Sequence, residues 1–154
     1  MGELAGAGAL IRDATEADIP ELLEMSERFQ SVSGLAPFIP FDVQTAEATA
    51  RLLMERRGLL ILDIGRPVGF AAIGVMEHFW NKAVKVGIEL GWWIEPEYRG
   101  QGREMLHAVE ARMRTLGATV MNMACLEAQR PKATGRLYER AGYTLVDHLY
   151  YKVL

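Results

Sequence analysis

The chain has 154 residues, 50% of them hydrophobic and 24% charged, with a net charge of −3. That length suits one domain able to bury about two thirds of its unfolded surface. The weak acidity gives no electrostatic case for nucleic acid. The single Cys125 excludes an internal disulfide framework and suits a reducing, cytoplasmic setting, and no apolar run is long enough to span a membrane.

Residues 1–8 are rich in Gly and Ala, lack the basic start of a signal peptide, and read as a loose tail before a single domain over 9–154. Ala9 to Arg12 reads as a short strand. Asp18-Ile19-Pro20-Glu21 opens a helix, with Asp18 as cap, Pro20 in the first turn and Glu21 closing a capping box. Ile19, Leu22, Leu23, Ser26 and Phe29 fall on one face of it. Ser31 to Phe41, with Gly34, Pro37 and Pro40, is a loop carrying Phe38, Ile39 and Phe41. Asp42 caps a second helix through Arg57, with Ala46, Thr49, Ala50, Leu52 and Leu53 toward the core and Gly58 as its stop.

Leu59 to Ile64 and Val68 to Met76 form a hairpin about Gly65-Arg66-Pro67. Glu77 to Ala83 is the next turn, and Val84 to Ile94 a long strand. Gln101 to Leu116 is a helix with Leu106, Val109, Met113 and Leu116 on one face, stopped by Gly117. Thr119 to Ala124 is a strand, Pro131 to Ala141 a helix ended by Gly142, and Tyr143 to Val153 one long or two short strands. The order is mixed α/β.

The chain is organised around Glu89 to Leu116, where an apolar strand passes Pro96, turns through Arg99-Gly100-Gln101-Gly102-Arg103 and enters a helix. Small residues let a ligand approach the backbone, and the unpaired N–H groups and dipole of a helix start favour an anion. A pyrophosphate suits this corner; so does a plain tight turn. A dinucleotide fold would place a third glycine where Met105 stands, and the Gly-Lys-Ser/Thr of a P-loop is missing.

Trp93-Ile94-x-Pro96-x-Tyr98-Arg99-Gly100-Gln101-Gly102 resembles the acyl-CoA-binding motif of the GCN5-related N-acetyltransferases (GNAT), Arg/Gln-x-x-Gly-x-Gly/Ala between a strand and a helix. Arg99 and Gly102 match, and Glu104 departs from the final Gly/Ala. Leu137-Tyr138-x-x-x-Gly142-Tyr143 resembles the family's second signature. Many members carry Asn and Ala where this chain has Pro131 and Thr134. The resemblance implies a GNAT acyl-CoA N-acyltransferase fold: a mixed, mostly antiparallel central sheet flanked by helices, with one strand pair splayed to admit the pantetheine arm. The expected gap lies between Glu89–Ile94 and Thr119–Ala124. It also implies acetyl-CoA as cosubstrate, held by Trp93, Ile94, Arg99, Gly100, Gln101, Gly102, Arg103 and Glu104, and an N-acetyl transfer to a primary amine in a ternary complex. The loop after the first helix would line the acceptor pocket.

Two residues are candidates for the chemistry. Tyr138 would protonate the departing thiolate, or it is a tyrosine packed on the sheet. Glu89 lies on an apolar strand beside tryptophan, so partial desolvation would raise its pKa and suit it as the base; the alternative is a solvent-facing strand position. A backbone N–H near Trp93 or Ile94 would serve the oxyanion. His78, beside Phe79 and Trp80, is the best-placed histidine for an acceptor site. His107 and His148 read as surface or packing residues, Cys125 as a buried or inert thiol, and no cluster has metal spacing. The acceptor would be a small-molecule or peptide amine; Glu77, Asp42 and Glu47 would suit a cationic one. The resemblance also implies that a homodimer, through the terminal strands, is an option. A non-catalytic CoA-binding or interaction module is the alternative on the same fold.

Overall fold

The structure is a computed structural model that describes residues 8–154. The expected N-terminal tail therefore lies outside the described residues apart from Gly8. Five strands form one sheet in the order β1 (Leu10–Asp13), β2 (Leu59–Asp63), β3 (Pro67–His78), β4 (Asn81–Ile94) and β5 (Val120–Asn122). The first four strands pair antiparallel, and β5 joins β4 in parallel. A parallel neighbour requires a crossover, and α3 (Gly102–Thr115) supplies it.

The sheet is buried on both sides, which explains the unbroken Leu59-Leu60-Ile61-Leu62 run of β2. Leu59 and Ile61 pack with Ile19, Leu22 and Met25 of α1 (Ile19–Val32) and with Ala50 and Leu53 of α2 (Val43–Glu55). Leu60 and Leu62 face the other way, onto Met105, Val109 and Met113 of α3. The last helix, α4 (Pro131–Arg140), buries Tyr138 on the α3 side, where its ring lies 6.3 Å from that of Trp92.

Several local expectations need correcting. Asp18 does not cap α1 with its side chain. Its carboxylate instead accepts the Thr15 amide at 2.7 Å and a bidentate pair from Arg12 at 2.7 and 2.8 Å. Arg12 also reaches Asp63 at 2.8 Å, so one guanidinium ties β1, the turn before α1 and β2 together. Asp42 does cap α2, accepting from Thr45 N at 2.7 Å. Thr49 and Leu52 point to solvent, and α2 ends with Arg57 in the left-handed region at φ 57°. Gly58 is required for another reason: a Cβ there would sit 2.2 Å from the Ile73 carbonyl oxygen.

The second hairpin turn is two residues, Phe79 and Trp80, so β3 and β4 are longer than expected. The largest departure is at the end of the chain. Residues 143–154 form no strand, and residues 144–154 are exposed throughout.

Candidate functional site

Strands β4 and β5 pair over three positions, Val86–Ile88 against Val120–Asn122, and then part. The segment Glu89–Ile94 therefore has β3 on one side and, among the described residues, no strand on the other. The expected gap is where the sequence placed it.

A bulge decides what faces that gap. Gly91 pairs with Ala72 and Glu89 with Ile73, which leaves Leu90 as the extra residue on β4. Simple alternation would put Glu89 and Trp92 on opposite faces. The extra residue inverts the parity, so Glu89, Trp92 and Ile94 stand opposite Ile73, Ala71 and Gly69, on the α3 side. Leu90 is pushed out to 57% exposure.

Glu89 and Tyr138 meet at Ala124, just beyond β5. The Ala124 amide donates to Glu89 Oε2 at 2.8 Å. The Tyr138 hydroxyl donates to the Ala124 carbonyl at 2.8 Å and accepts from Trp92 Nε1 at 3.0 Å. Side chains from β4 and α4 thus bridge the opening that the strands leave. Glu89 is pushed up to about 7 by desolvation, which outweighs the Ala124 amide bond. Tyr138 is raised above the ordinary phenol range by burial first and then by the charge of Glu89, so its hydroxyl keeps its proton at working pH. A half-buried carboxylate that titrates near neutrality beside a buried, protonated phenol is an acid–base pair.

The glycine corner is built as a 3-10 turn, Pro96–Gln101, that runs into α3. Its i to i+3 pattern uses amides up to Gln101, and the Gly102 amide bonds the Arg99 carbonyl. This narrows the expected cradle over residues 99–104: the amides left for an anion are those of Arg103 and Glu104 in the first α-helical turn. The glycines fit a ligand for a different reason. Gly100 and Gly102 have ordinary φ, a Cβ on Gly100 would have nothing within 4 Å, and one on Gly102 would meet only Leu137 at 3.8 Å. The fold itself does not require glycine there, whereas close approach of a ligand does. Gly135, inside α4, is likewise open, and nothing in the sequence reading singled it out.

The other site residues are spread around this corner. Ile94 is buried on the α3 side and Trp93 on the α1 side, where the Trp93 indole N–H has no partner among the described residues. Arg99 leans over the Trp93 ring at 5.0 Å and donates to the Ile94 carbonyl at 3.3 Å, bracing the strand end. Gln101 is half-buried, and Arg103 and Glu104 are exposed at the helix start.

A second cleft, about 490 Å³, opens between α1 and the start of α2, lined by Leu23, Glu24, Glu27, Phe41, Asp42 and Val43. Of the acidic groups expected near an acceptor, Asp42 lines it. Glu47 is paired with Arg51 at 2.6 Å, and Glu77 is exposed near the far end of the long hairpin. His78 is also at that tip, accepting from Trp80 N at 3.2 Å, about 25 Å along β4 from Glu89 by strand rise. His107 and His148 are exposed. Cys125 is exposed rather than buried; its thiol donates to the Pro131 carbonyl at 3.3 Å, and its pKa is raised, mainly by desolvation. Among the described residues, no group of three His, Cys, Asp or Glu is placed to hold a metal, and no helix is long and apolar enough to cross a membrane.

The profile of the acetyltransferase (GNAT) family matches residues 21–143, which include the bulged strand, the glycine corner and Tyr138. The chain belongs to that family. No curated protein matches this GNAT chain. Among solved structures, it is similar to a predicted acetyltransferase of Clostridium acetobutylicum crystallised with acetyl-CoA, at 19% identity and TM-score 0.72, covering 94% of this chain and 96% of that one. It is also similar to an aminoglycoside acetyltransferase, meta-AAC0020, from an uncultured soil metagenomic sample, at 14% identity, TM-score 0.68 and 95% and 97% coverage. A transcriptional regulator from Bacillus halodurans C-125 shares the fold at 19% identity, TM-score 0.73 and 95% and 99% coverage.

Proposed function

We propose that this GNAT protein is an N-acetyltransferase that moves an acetyl group from acetyl-CoA to a primary amine by direct attack within a ternary complex. The observation that carries the reading is the convergence of Glu89 and Tyr138 on Ala124 at the parting of β4 and β5. The acetyl-CoA seen with the Clostridium acetobutylicum protein supports the same cosubstrate here. Its diphosphate would rest on the Arg103 and Glu104 amides, with Gly100 and Gly102 giving room and Arg103 supplying charge. Trp93 and Ile94 frame the strand end, Arg99 braces the corner against the Ile94 carbonyl, and Gln101 would contact the cosubstrate.

When bound, acetyl-CoA supplies an electrophilic thioester. The chain's own work is to position an amine and move two protons. Glu89, with a pKa of about 7, takes a proton from the incoming ammonium directly or through one water. Tyr138 gives its proton to the sulfur that leaves and takes in its place the second proton that the amine nitrogen sheds as the tetrahedral adduct collapses, with Trp92 Nε1 holding the phenolic oxygen meanwhile. A backbone N–H on the open edge of β4, near Trp93 or Ile94, faces the carbonyl oxygen.

The acceptor is a cationic amine, small-molecule or peptide, drawn by Glu24, Glu27 and Asp42 in the cleft beside α1. The aminoglycoside acetyltransferase among the structural relatives fits this class. The test is release of free CoA thiol with a panel of polyamines, aminoglycosides and N-terminal peptides. Turnover with at least one supports the reading. Saturable CoA binding without turnover on any of them would instead support a non-catalytic CoA-binding module, a reading that Glu104 at the phosphate-facing helix start favours.

A further inference from the structure

Trp93 lies near the end of β4 with its ring on the α1 side, 6% exposed and 6.0 Å from the Phe29 ring. Its indole N–H is buried and has no hydrogen-bond partner among the described residues. A buried donor left unpaired costs free energy, and native interiors rarely keep one. A phenyl ring would fill most of the same space without that cost. Gln129 Nε2 is the other such atom among the described residues. It belongs to the loop between β5 and α4, where Ala128 lies against Gly34 of the loop after α1. Both atoms are donors, so a group that answers them brings acceptor oxygens.

Arg99 adds a charge beside the same indole. Its guanidinium carbon stands 5.0 Å from the Trp93 ring centroid, and its Nε donates to the Ile94 carbonyl at 3.3 Å. The two Nη groups have no hydrogen-bond or salt-bridge partner among the described residues. Arg28, by contrast, is held by Glu95 at 2.6 Å and Glu21 at 3.2 Å, so the carboxylate that follows Ile94 is already neutralised. A neutral N–H beside an unpaired guanidinium suits a carboxylate. The diphosphate is not that anion: the start of α3 lies on the face that Ile94 shares, and Trp93 is on the other.

We infer that the Trp93 indole N–H and the Arg99 guanidinium receive a carboxylate of the acceptor, and that the acceptor is an amino acid with a second amine. This rests on the acetyl-transfer reading above and narrows it. Trp93 is four residues along β4 from Glu89, so the carboxylate lies several bonds from the reacting amine. There β5 has parted from β4, and one ligand can touch both faces at the open edge. The second amine answers Glu24, Glu27 and Asp42 in the cleft beside α1.

The test compares amines that differ only in the carboxylate: lysine with cadaverine, and ornithine with putrescine, on the full chain with acetyl-CoA. The amino acid of each pair should have the higher kcat/KM, by about 10- to 100-fold. Trp93→Phe, which keeps a buried ring, and Arg99→Gln should each cut that ratio at least about tenfold. The chain has three tryptophans, and the indole N–H resonance lost in Trp93→Phe should move when lysine is added to the CoA-saturated parent. That readout needs no turnover. If lysine moves the resonance but no amine releases CoA thiol, the carboxylate site stands and the acetyl-transfer reading alone fails. Four results overturn the proposal: a diamine used as well as its amino acid, a ratio that survives Trp93→Phe, an Arg99→Gln change that weakens CoA but spares the ratio, or a Trp93 resonance that lysine leaves in place.

Discussion

Glu89 and Tyr138 hold the two halves of one peptide position: the Ala124 amide donates to Glu89 at 2.8 Å, and the Ala124 carbonyl accepts from Tyr138 at 2.8 Å. The two side chains come from β4 and α4, yet both are anchored to the strand that parts from β4. The predictions below follow from that anchoring and from the glycine corner beside it.

Glu89→Gln keeps an oxygen for the Ala124 amide but cannot take a proton. The expected loss in kcat/KM is about 10²- to 10⁴-fold. In the parent, kcat/KM should rise with pH through about 7, the Glu89 value, and level off above it. The stability sign is the reverse. The folded carboxyl keeps its proton up to about 7 while the unfolded one releases it near 4.5, so Glu89 lowers stability as pH rises across that window. Thermal melts from pH 5 to 8 should show a shallower decline for Glu89→Gln than for the parent.

Tyr138→Phe removes the group that satisfies both Trp92 Nε1 and the Ala124 carbonyl. Trp92 is half-buried and Ala124 exposed, so water can take over part of what is lost and the cost should be about 0.5–1.5 kcal/mol by urea unfolding. Because the phenol acts late, kcat should fall at least about tenfold with the KM for acetyl-CoA changed little. A fall in KM-dependent binding alone would return Tyr138 to a packing role.

Gly100→Val and Gly58→Ala separate the two uses of glycine. A side chain at residue 100 meets open space, so the melt should stay within a few degrees of the parent while the Kd for CoA rises at least about tenfold. A methyl group at residue 58 runs into the Ile73 carbonyl, so Gly58→Ala should lose about 1–3 kcal/mol of stability with CoA affinity retained. Calorimetry and unfolding on the two variants read both effects.

Glu104 is exposed at the start of α3, where a bound diphosphate would meet its charge. Glu104→Ala should tighten CoA about two- to tenfold at low salt, with the gain shrinking as ionic strength rises. No change at low salt would mean that the diphosphate lies elsewhere.

The sequence made the main lines of this fold legible because they rest on local chemistry. The 3.6-residue pattern of α3, the apolar run of β2, the Asp42 cap and the glycine turn after β4 each announce themselves in a few residues. The β4–β5 gap and Tyr138 came from motif resemblance, Glu89 from its place on an apolar strand beside tryptophan, and the structure brings the two residues to one place. What the sequence did not show was non-local. The bulge at Leu90, which puts Glu89 on the Trp92 face, is visible only in the register with Ala72 and Ile73. Asp18 looked like a cap because it directly precedes α1; its carboxylate is taken instead by Arg12 of β1 and by the Thr15 amide. Residues 143–154 have the strand pattern without a strand, because pattern alone does not pair a segment with an edge, and among the described residues these pair with none. Gly135 drew no notice because an open glycine and a packed one read alike.

The most direct measurement is a crystal structure of the full chain with CoA bound. The account predicts the diphosphate on the amides of Arg103 and Glu104, and the sulfur within hydrogen-bond reach of the Tyr138 hydroxyl between β4 and Ala124. Density for CoA away from the Gly100–Gly102 corner, or a sulfur remote from Tyr138 with the Ala124 bonds undisturbed, would contradict it.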